Sequence, residues 1–260
     1  MSYSLVDANI SVWLSGAAYC NKEKYGTMKL SGPASRFIVT KTLYDTSSDL
    51  QGYMGVLPSH KTIYIVFRGS ASLLNWIDDI KIKRIPYTSY PRCNCSVHDG
   101  FYTTTQRLYP SVSPDVRLLQ KKYKYNNIIL TGHSLGAAIA HLMMLELKRD
   151  NIFSTVYNFG QPRIGDLEYA KFVSFYNRDM IYRYTHYKDI VPHIPPNSLD
   201  YYHTCAEIYE DETGKLKNCS VFFCEDPTCS SQFLLRETNA DDHSTYLGHY
   251  LSCETSTFPI

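Results

Sequence analysis

Hydrophobic residues in the middle of the chain form short, nearly continuous runs. They occupy residues 62–67, 128–131, 155–159 and 181–185. Runs of this kind are typical of central β-strands that other elements cover on both faces. We therefore predict buried strands at these positions.

Stretches with a helical spacing of apolar residues lie between these runs, at 114–123, 137–149 and 167–176. The alternation of strands and helices predicts an α/β fold with a largely parallel central sheet. Towards the N-terminus, residues 6–19 have a loose helical period, and residues 36–44 alternate like a strand. In open sheets of this type the functional residues gather beyond the carboxyl ends of the strands, so motifs are sought there.

The composition narrows the class of protein. Apolar residues make up 44% of the 260 residues, which is enough for a core, and no repeat or flexible linker divides the chain. We therefore expect a single domain over residues 1–260. The formal net charge is +1, from 26 basic and 25 acidic residues. Such a balance argues against binding to nucleic acid, which requires a clustered basic excess.

The cysteines indicate an oxidising compartment. An even number of them without zinc-type spacing is typical of disulfide bonds rather than of a metal site, and buried reduced thiols are the alternative. The N-terminus lacks the basic and apolar regions of a signal peptide, so we expect a secreted protein represented by its mature chain. The cysteines are Cys20, Cys93, Cys95, Cys205, Cys219, Cys224, Cys229 and Cys253.

The apolar stretch at residues 128–147 is long enough to be considered as a membrane span. It contains His133, His141 and Glu146. Because polar side chains are costly in hydrocarbon, we predict no transmembrane segment.

The run at 128–131 leads into a G-H-S-L-G motif at 132–136. In a G-x-S-x-G elbow a strand turns sharply into a helix and presents the serine hydroxyl, and the flanking glycines let strand and helix pass closely. Ser134 is thus the candidate nucleophile, at a helix N-terminus that favours a developing oxyanion. A tight turn with a capping serine is the alternative. We interpret His133 and His141 as structural.

A serine nucleophile needs a base and a carboxylate that orients it, in the chain order Ser, acid, His for this type of fold. Asp189 follows the run at 181–185 in a proline-rich loop, which suits a fixed acid, and an exposed loop aspartate is the alternative. His243, in a late loop, fits the base, but spacing alone leaves His203 and His249 open. The histidines considered for the base are His186, His193, His203, His243 and His249.

Two backbone N–H groups stabilise the oxyanion in enzymes with this elbow. One is expected from Leu135, directly after Ser134. The second is expected in a loop after an earlier central strand. Ser70 follows the run at 62–67 and can offer both its N–H and its hydroxyl. Ser70 and Leu135 are therefore the candidate oxyanion donors.

The segment at residues 72–80 has an apolar face with helical spacing. An ordinary surface helix has the same pattern. Because the segment adjoins Ser70, we predict a mobile lid whose apolar side covers the site in water and contacts lipid when it opens. The apolar residues assigned to this lid are Leu73, Leu74, Trp76, Ile77 and Ile80.

Together these features resemble the fungal-type class 3 lipases, the α/β-hydrolase family of the Rhizomucor and Thermomyces lipases, which also contains feruloyl esterases and phospholipases A1. The resemblance extends from Ser15 to Cys253 and implies an α/β-hydrolase fold with a short helical lid. Its strongest motifs are IYIVFRGS at 63–70, NWI at 75–77, VHDGF at 97–101, GHSLG at 132–136, FGQPRIGD at 159–166, DIVP at 189–192 and DH at 242–243.

The resemblance assigns roles to individual residues. It implies Ser134 as the nucleophile, Asp189 as the orienting acid and His243, rather than His203 or His249, as the base. Ser70 and Leu135 would be the oxyanion donors.

The resemblance also implies two disulfide bonds, Cys20 to Cys253 and Cys93 to Cys95. The second has a C-x-C spacing where relatives have C-x-x-C. The remaining cysteines allow three pairings, which the sequence does not resolve. They are Cys205, Cys219, Cys224 and Cys229.

The predicted function is that of a cofactor-free and metal-free triacylglycerol lipase, with acylglycerols as substrates at a lipid–water interface. Phospholipids and soluble aromatic esters are alternative substrates for the same chemistry. A catalytically silent lipid carrier is the alternative from another class of protein. The sequence does not determine the oligomeric state, and we expect a monomer.

Overall fold

The computed structural model describes residues 3–79, 82–177, 179–222 and 224–258. The α-helices in these residues are α1 (Leu5–Ala17), α2 (Leu73–Asp79), α3 (Asp99–Tyr123), α4 (Leu135–Arg149), α5 (Leu167–Asn177) and α6 (Cys253–Ser256). The strands are β1 (Ile38–Asp45), β2 (Leu50–Leu57), β3 (Thr62–Phe67), β4 (Arg84–Pro86), β5 (Ser96–His98), β6 (Asn127–His133), β7 (Thr155–Phe159), β8 (Ile181–His186), β9 (Glu207–Glu210), β10 (Leu216–Asn218), β11 (Thr245–Tyr246) and β12 (His249–Tyr250).

One sheet of eight strands has the order β1-β2-β3-β6-β7-β8-β9-β10. Five neighbouring strands are parallel, namely β3, β6, β7, β8 and β9. The outer strands β1, β2 and β10 pair antiparallel with their neighbours. The predicted α/β class with a mostly parallel sheet is therefore confirmed. The apolar runs of the sequence correspond to β3, β6, β7 and β8, which are buried along nearly their whole length.

Helices cover both faces of this sheet. Along β3, Ile63, Ile65 and Phe67 belong to the core that contains buried residues of α3, α4 and α5. Tyr64 and Val66, which point to the opposite face, belong to a second core with residues of α1. Burial on both sides explains why β3 is continuously apolar instead of alternating.

The helix α4 is buried from Gly136 to Leu147. The apolar stretch that was considered as a membrane span thus consists of β6, which is a central strand of the sheet, and most of α4, which packs on this strand. Its buried Glu146 pairs with Arg149 at 2.8 Å and accepts a hydrogen bond from Ser89. Within the described ranges, no helix combines the length and the apolar character needed to cross a membrane.

Among the differences from the prediction, α3 and β2 are the largest elements. The helix expected at 114–123 begins much earlier, at Asp99, and contains both Pro110 and Pro114. The buried strand β2 was not predicted, because Gly52 and Gly55 interrupt its apolar residues. A Cβ on Gly52 would lie 2.2 Å from the Val66 carbonyl oxygen of β3, so these glycines let neighbouring strands approach closely.

All eight cysteines form disulfide bonds, so the alternative of reduced thiols is wrong. Cys20 pairs with Cys253 and Cys93 with Cys95, as the resemblance implied. The open pairings are resolved as Cys205 to Cys224 and Cys219 to Cys229. Cys219 and Cys229 also lie close to Asp226, but their sulfurs are bonded to each other and are not available as metal ligands.

Candidate active site

Ser134 lies at a sharp turn between β6 and α4. Its backbone is in a region that non-glycine residues rarely occupy, with φ 58° and ψ −129°. A Cβ on Gly132 would lie 2.4 Å from the Gly136 backbone, and one on Gly136 would lie 2.2 Å from the Phe67 carbonyl oxygen. The motif therefore forms the strand–turn–helix elbow that the sequence predicted, and both glycines are required by close backbone contacts.

Asp189 and His243 form a buried pair beside this elbow. Asp189 follows β8 in the chain, and its Oδ2 lies 2.8 Å from His243 Nδ1. Burial raises the pKa of Asp189, but the partners His243, Tyr246 and the Val191 N–H lower it below its usual value overall. Asp189 is therefore an ionised acceptor, and His243 donates from Nδ1.

The candidate nucleophile and the candidate base each have one buried side-chain atom without a hydrogen bond. Ser134 Oγ and His243 Nε2 are both buried, and neither has a hydrogen-bond partner among the described residues. The neighbouring Phe159 accepts a hydrogen bond from the Ser134 N–H at 3.0 Å. The next residue, Gly160, has φ 58°, and a Cβ there would lie 2.7 Å from His243 Cε1. Gly160 therefore packs directly against the His243 ring, where a side chain would clash.

The side chains of the other candidate bases form hydrogen bonds to groups other than the Asp189 carboxylate. His203 Nε2 donates to the Pro192 carbonyl at 2.7 Å, and His249 Nε2 bonds to Ser256 Oγ at 2.8 Å. His193 bonds to the backbone carbonyls of Asp189 and Ser230, and His186 bonds to the Asp242 carbonyl. His243 is therefore the candidate base whose ring contacts the Asp189 carboxylate.

His133 and His141 have the structural surroundings that the sequence analysis expected. His133 is buried between Tyr19 and the backbone of His243. His141 Nδ1 bonds to Gln161 Oε1 at 3.2 Å, and burial lowers the pKa of His141 to about 4. Neither ring contacts the Asp189 carboxylate.

The two candidate oxyanion donors line one cavity. Ser70 and Leu135 share it with Arg68 and Asn75. A Cβ on Gly69 would lie 2.9 Å from Ser134 Cβ, so the loop after β3 runs directly beside the nucleophile. Ser70 and Leu135 therefore lie at one cavity beside Ser134, and their role as oxyanion donors stays a prediction.

The predicted lid contains the helix α2, directly after this loop. Its Trp76 ring stacks with Phe101 of α3 at a centroid distance of 6.5 Å, and Leu73, Trp76 and Ile77 are half-buried. Leu74 instead faces solvent and is 64% exposed, so it is not part of the packed side. The Ile80 assignment lies outside the described residues.

Two tyrosines of the site were missed by sequence reasoning. The Tyr246 hydroxyl donates to Asp189 Oδ2, the same oxygen that accepts from His243. The Tyr19 hydroxyl contacts His133 Nδ1 at 2.6 Å. Tyr246 follows His243 by three residues, which is a usable signal. Tyr19 lies far from the elbow in sequence and carries no such signal.

Comparison with solved structures agrees with this architecture. A triacylglycerol lipase whose catalytic centre is described as a serine protease triad superimposes with a TM-score of 0.86 and 28% identity, over 98% of each chain. The Rhizomucor miehei lipase in complex with its propeptide has a TM-score of 0.84 and 29% identity, over 94% of this chain and 80% of that one. The fold is thus the α/β-hydrolase fold.

Sequence relatives define the family. The family model of class 3 lipases matches residues 64–199. The lipase of Rhizomucor miehei is 34% identical over 199 residues, which are 73% of this chain and 53% of that protein. A secreted mono- and diacylglycerol lipase of Fusarium solani is 29% identical, over 67% of this chain and 51% of that protein. The chain therefore belongs to the class 3 lipase family and spans about half the length of these two relatives.

Proposed function

We propose that the protein is a serine ester hydrolase that cleaves acylglycerols at a lipid–water interface, as a triacylglycerol lipase. The observation that carries this proposal is the buried contact of 2.8 Å between His243 and Asp189, next to the strained Ser134 elbow. The names of the class 3 relatives, which include lipases of mono-, di- and triacylglycerols, support acylglycerols as the substrate class.

The reaction follows from the positions of the proposed groups. His243 Nε2 takes the proton of Ser134 Oγ, which attacks the ester carbonyl carbon. The N–H groups of Ser70 and Leu135 donate to the resulting oxyanion. The C–O bond to the alcohol then breaks, and the alcohol leaves with the proton held by His243. Water, deprotonated by the same nitrogen, attacks the acyl-enzyme and releases the fatty acid and free Ser134.

The half-buried apolar side of α2 supports an interfacial substrate. A helix that packs Trp76 on the protein in water exposes the same apolar area when it opens, and lipid is the medium that favours this exposure. We therefore propose α2 as the lid. The disulfide bonds and the secreted relatives support an extracellular location. The continuous sheet supports a single domain.

The proposal is tested with emulsified triolein, a phosphatidylcholine and a feruloyl ester, each assayed below and above its solubility. We expect triolein hydrolysis that rises sharply above solubility and vanishes in Ser134→Ala. A preference for phosphatidylcholine or for the dissolved feruloyl ester would replace acylglycerol as the substrate class. Undiminished hydrolysis by Ser134→Ala, or no labelling of Ser134 by an organophosphonate, would reject the mechanism.

A further inference from the structure

A chain of hydrogen bonds that the mechanism above does not use runs behind the nucleophile elbow. The hydroxyl of Tyr19, just after α1, lies 2.6 Å from His133 Nδ1. On the other side of that ring, His133 Nε2 lies 2.8 Å from the carbonyl oxygen of His243. The Tyr19 oxygen also lies against Gly69, the residue before Ser70, because a Cβ on Gly69 would lie 2.2 Å from it. The hydrogen bonds thus connect Tyr19, the elbow and the proposed base, and Gly69 packs against the Tyr19 end.

The chemistry of these contacts determines where the protons lie. A carbonyl oxygen only accepts, so His133 Nε2 carries a hydrogen and donates it to His243. Burial, together with the nearby His243, lowers the pKa of His133 well below its usual value, so the ring is neutral. Nδ1 of a neutral ring with Nε2–H has a lone pair, and the Tyr19 hydroxyl is therefore its donor. Burial raises the pKa of Tyr19, so this hydroxyl keeps its proton.

The His133 ring also lies against the proposed base. The ring centroids of His133 and His243 are 4.1 Å apart, with the planes tilted by 34°. When His243 takes the proton of Ser134 it becomes an imidazolium. A neutral aromatic ring beside a cation attracts it, whereas a second cation at this distance would repel it. The neutral state of His133 therefore favours the charged intermediate of His243.

We propose that Tyr19 is a positioning residue for the reaction. Its hydroxyl holds His133 in the neutral Nε2–H tautomer against His243. This role rests on the proposed hydrolase function, but the tautomer of His133 is a property of the resting protein.

The first test is nitrogen NMR of the wild-type protein labelled with ¹⁵N-histidine, with the His133 signals assigned by their loss in His133→Asn. We expect a neutral ring at neutral pH, with a pyridine-type Nδ1 and a pyrrole-type Nε2. A protonated Nδ1 or a charged ring would overturn the proposal. This measurement requires neither substrate nor activity.

The second test compares Tyr19→Phe with Tyr53→Phe. Tyr53 is also buried, and its hydroxyl donates to the Leu14 carbonyl of α1 at 2.6 Å. On a dissolved short-chain ester we expect Tyr19→Phe to lower kcat about 10-fold with KM unchanged, the effect of one well-placed hydrogen bond. Tyr53→Phe should leave kcat unchanged at a comparable loss of Tm.

The outcomes separate this proposal from the proposed function. Equal kcat values for the two variants would show a merely structural hydroxyl and overturn the role of Tyr19. A wild-type protein that hydrolyses no ester would reject the proposed function, and the NMR result would then decide the tautomer by itself.

Discussion

The carboxylate of Asp189 is held from three directions. Its Oδ2 accepts from His243 Nδ1 and from the Tyr246 hydroxyl, and its Oδ1 accepts from the Val191 N–H at 2.8 Å. Three donors and no side-chain acceptor make this a site for a fully ionised group. The fixed carboxylate in turn fixes the His243 tautomer that carries its hydrogen on Nδ1.

We expect Asp189→Asn to reduce kcat by about 10⁴-fold, because an amide in this place favours the wrong tautomer of the base. The matched control is Asp242→Asn. Asp242 is next to His243 in the chain, but its carboxylate accepts from Asn239 at 2.8 Å and not from the base. Steady-state kinetics of the two variants provide the measurement, and equal kcat values would contradict the role given to Asp189.

Single residues differ in how far the sequence alone identifies them. Ser134 was predictable because its motif follows an apolar strand and precedes a helix, so local context carries the information. His243 was not separable from His203 and His249 by spacing, since its contact with Asp189 joins residues 54 positions apart. The resemblance to the class 3 lipases identified His243 as the candidate base. Tyr19 is still less predictable, because its contact with His133 spans 114 positions.

At the scale of elements, α2 is the proposed lid of the site. The helix lies between the oxyanion loop and β4, and Trp76 is its aromatic contact with α3. Ser134 and His243 are each only 2% exposed in this arrangement. Under the proposed function, we expect α2 to move before a long-chain ester reaches Ser134.

We expect Trp76→Ala to weaken the closed position and to remove apolar area that would contact lipid. An aromatic contact contributes about 1 kcal/mol. The ratio of activity on emulsified to dissolved ester should therefore fall by about 5-fold. The control is Leu118→Ala, which removes an apolar residue that is 61% exposed on α3, far along the helix from Phe101. An unchanged ratio in Trp76→Ala would argue against α2 as the lid.

Helices and strands were predictable where the spacing of apolar residues within the element itself indicates its type. The strands β3, β6, β7 and β8 are apolar throughout, because helices cover both sheet faces. The start of α3 was not predictable, because Pro110 and Pro114 oppose a helix locally. Buried residues such as Leu108, Val112 and Val116, which pack in the core with α4, compensate for this. Tertiary packing there outweighs local preference.

For the whole molecule, buried histidines couple stability to pH. His141 has a folded pKa of about 4, against about 6.5 in the unfolded chain. Between these values the unfolded chain binds the proton and the folded protein does not, so stability falls as pH decreases through this range. Burial, with Arg183 nearby, also lowers the pKa of His203 well below its usual value, which acts in the same direction.

We expect Tm to decrease as the pH is lowered from about 7 towards 4. The titration of His141 alone should lower the free energy of unfolding by up to about 3 kcal/mol over this range. Calorimetry across this range provides the measurement. The variant His141→Gln should show a shallower dependence, because it removes one titrating group. A Tm that stays constant over the range would contradict the neutral buried state of these rings.

The disulfide bonds should differ greatly in their contribution to stability. The Cys20–Cys253 bond joins residues 233 positions apart, whereas Cys93 and Cys95 are separated by 2. Because the restriction of the unfolded chain grows with the length of the closed loop, we expect the double variant Cys20→Ser/Cys253→Ser to lose about 2–5 kcal/mol. The variant Cys93→Ser/Cys95→Ser should lose less. Denaturant unfolding of both compares them, and the reverse order would contradict this account.

The Cys20–Cys253 bond also determines how the protein responds to proteolysis. Cleavage of one peptide bond anywhere between these two residues leaves both pieces covalently joined. The exposed hairpin tip between β9 and β10, around Gly214, is a natural place for such a cut. Because the Cys205–Cys224 bond spans this tip as well, a nicked molecule would keep its two parts joined by two disulfide bonds, with Ser134 on one piece and His243 on the other. We therefore expect a single cut at this tip to leave the two parts associated under non-reducing conditions.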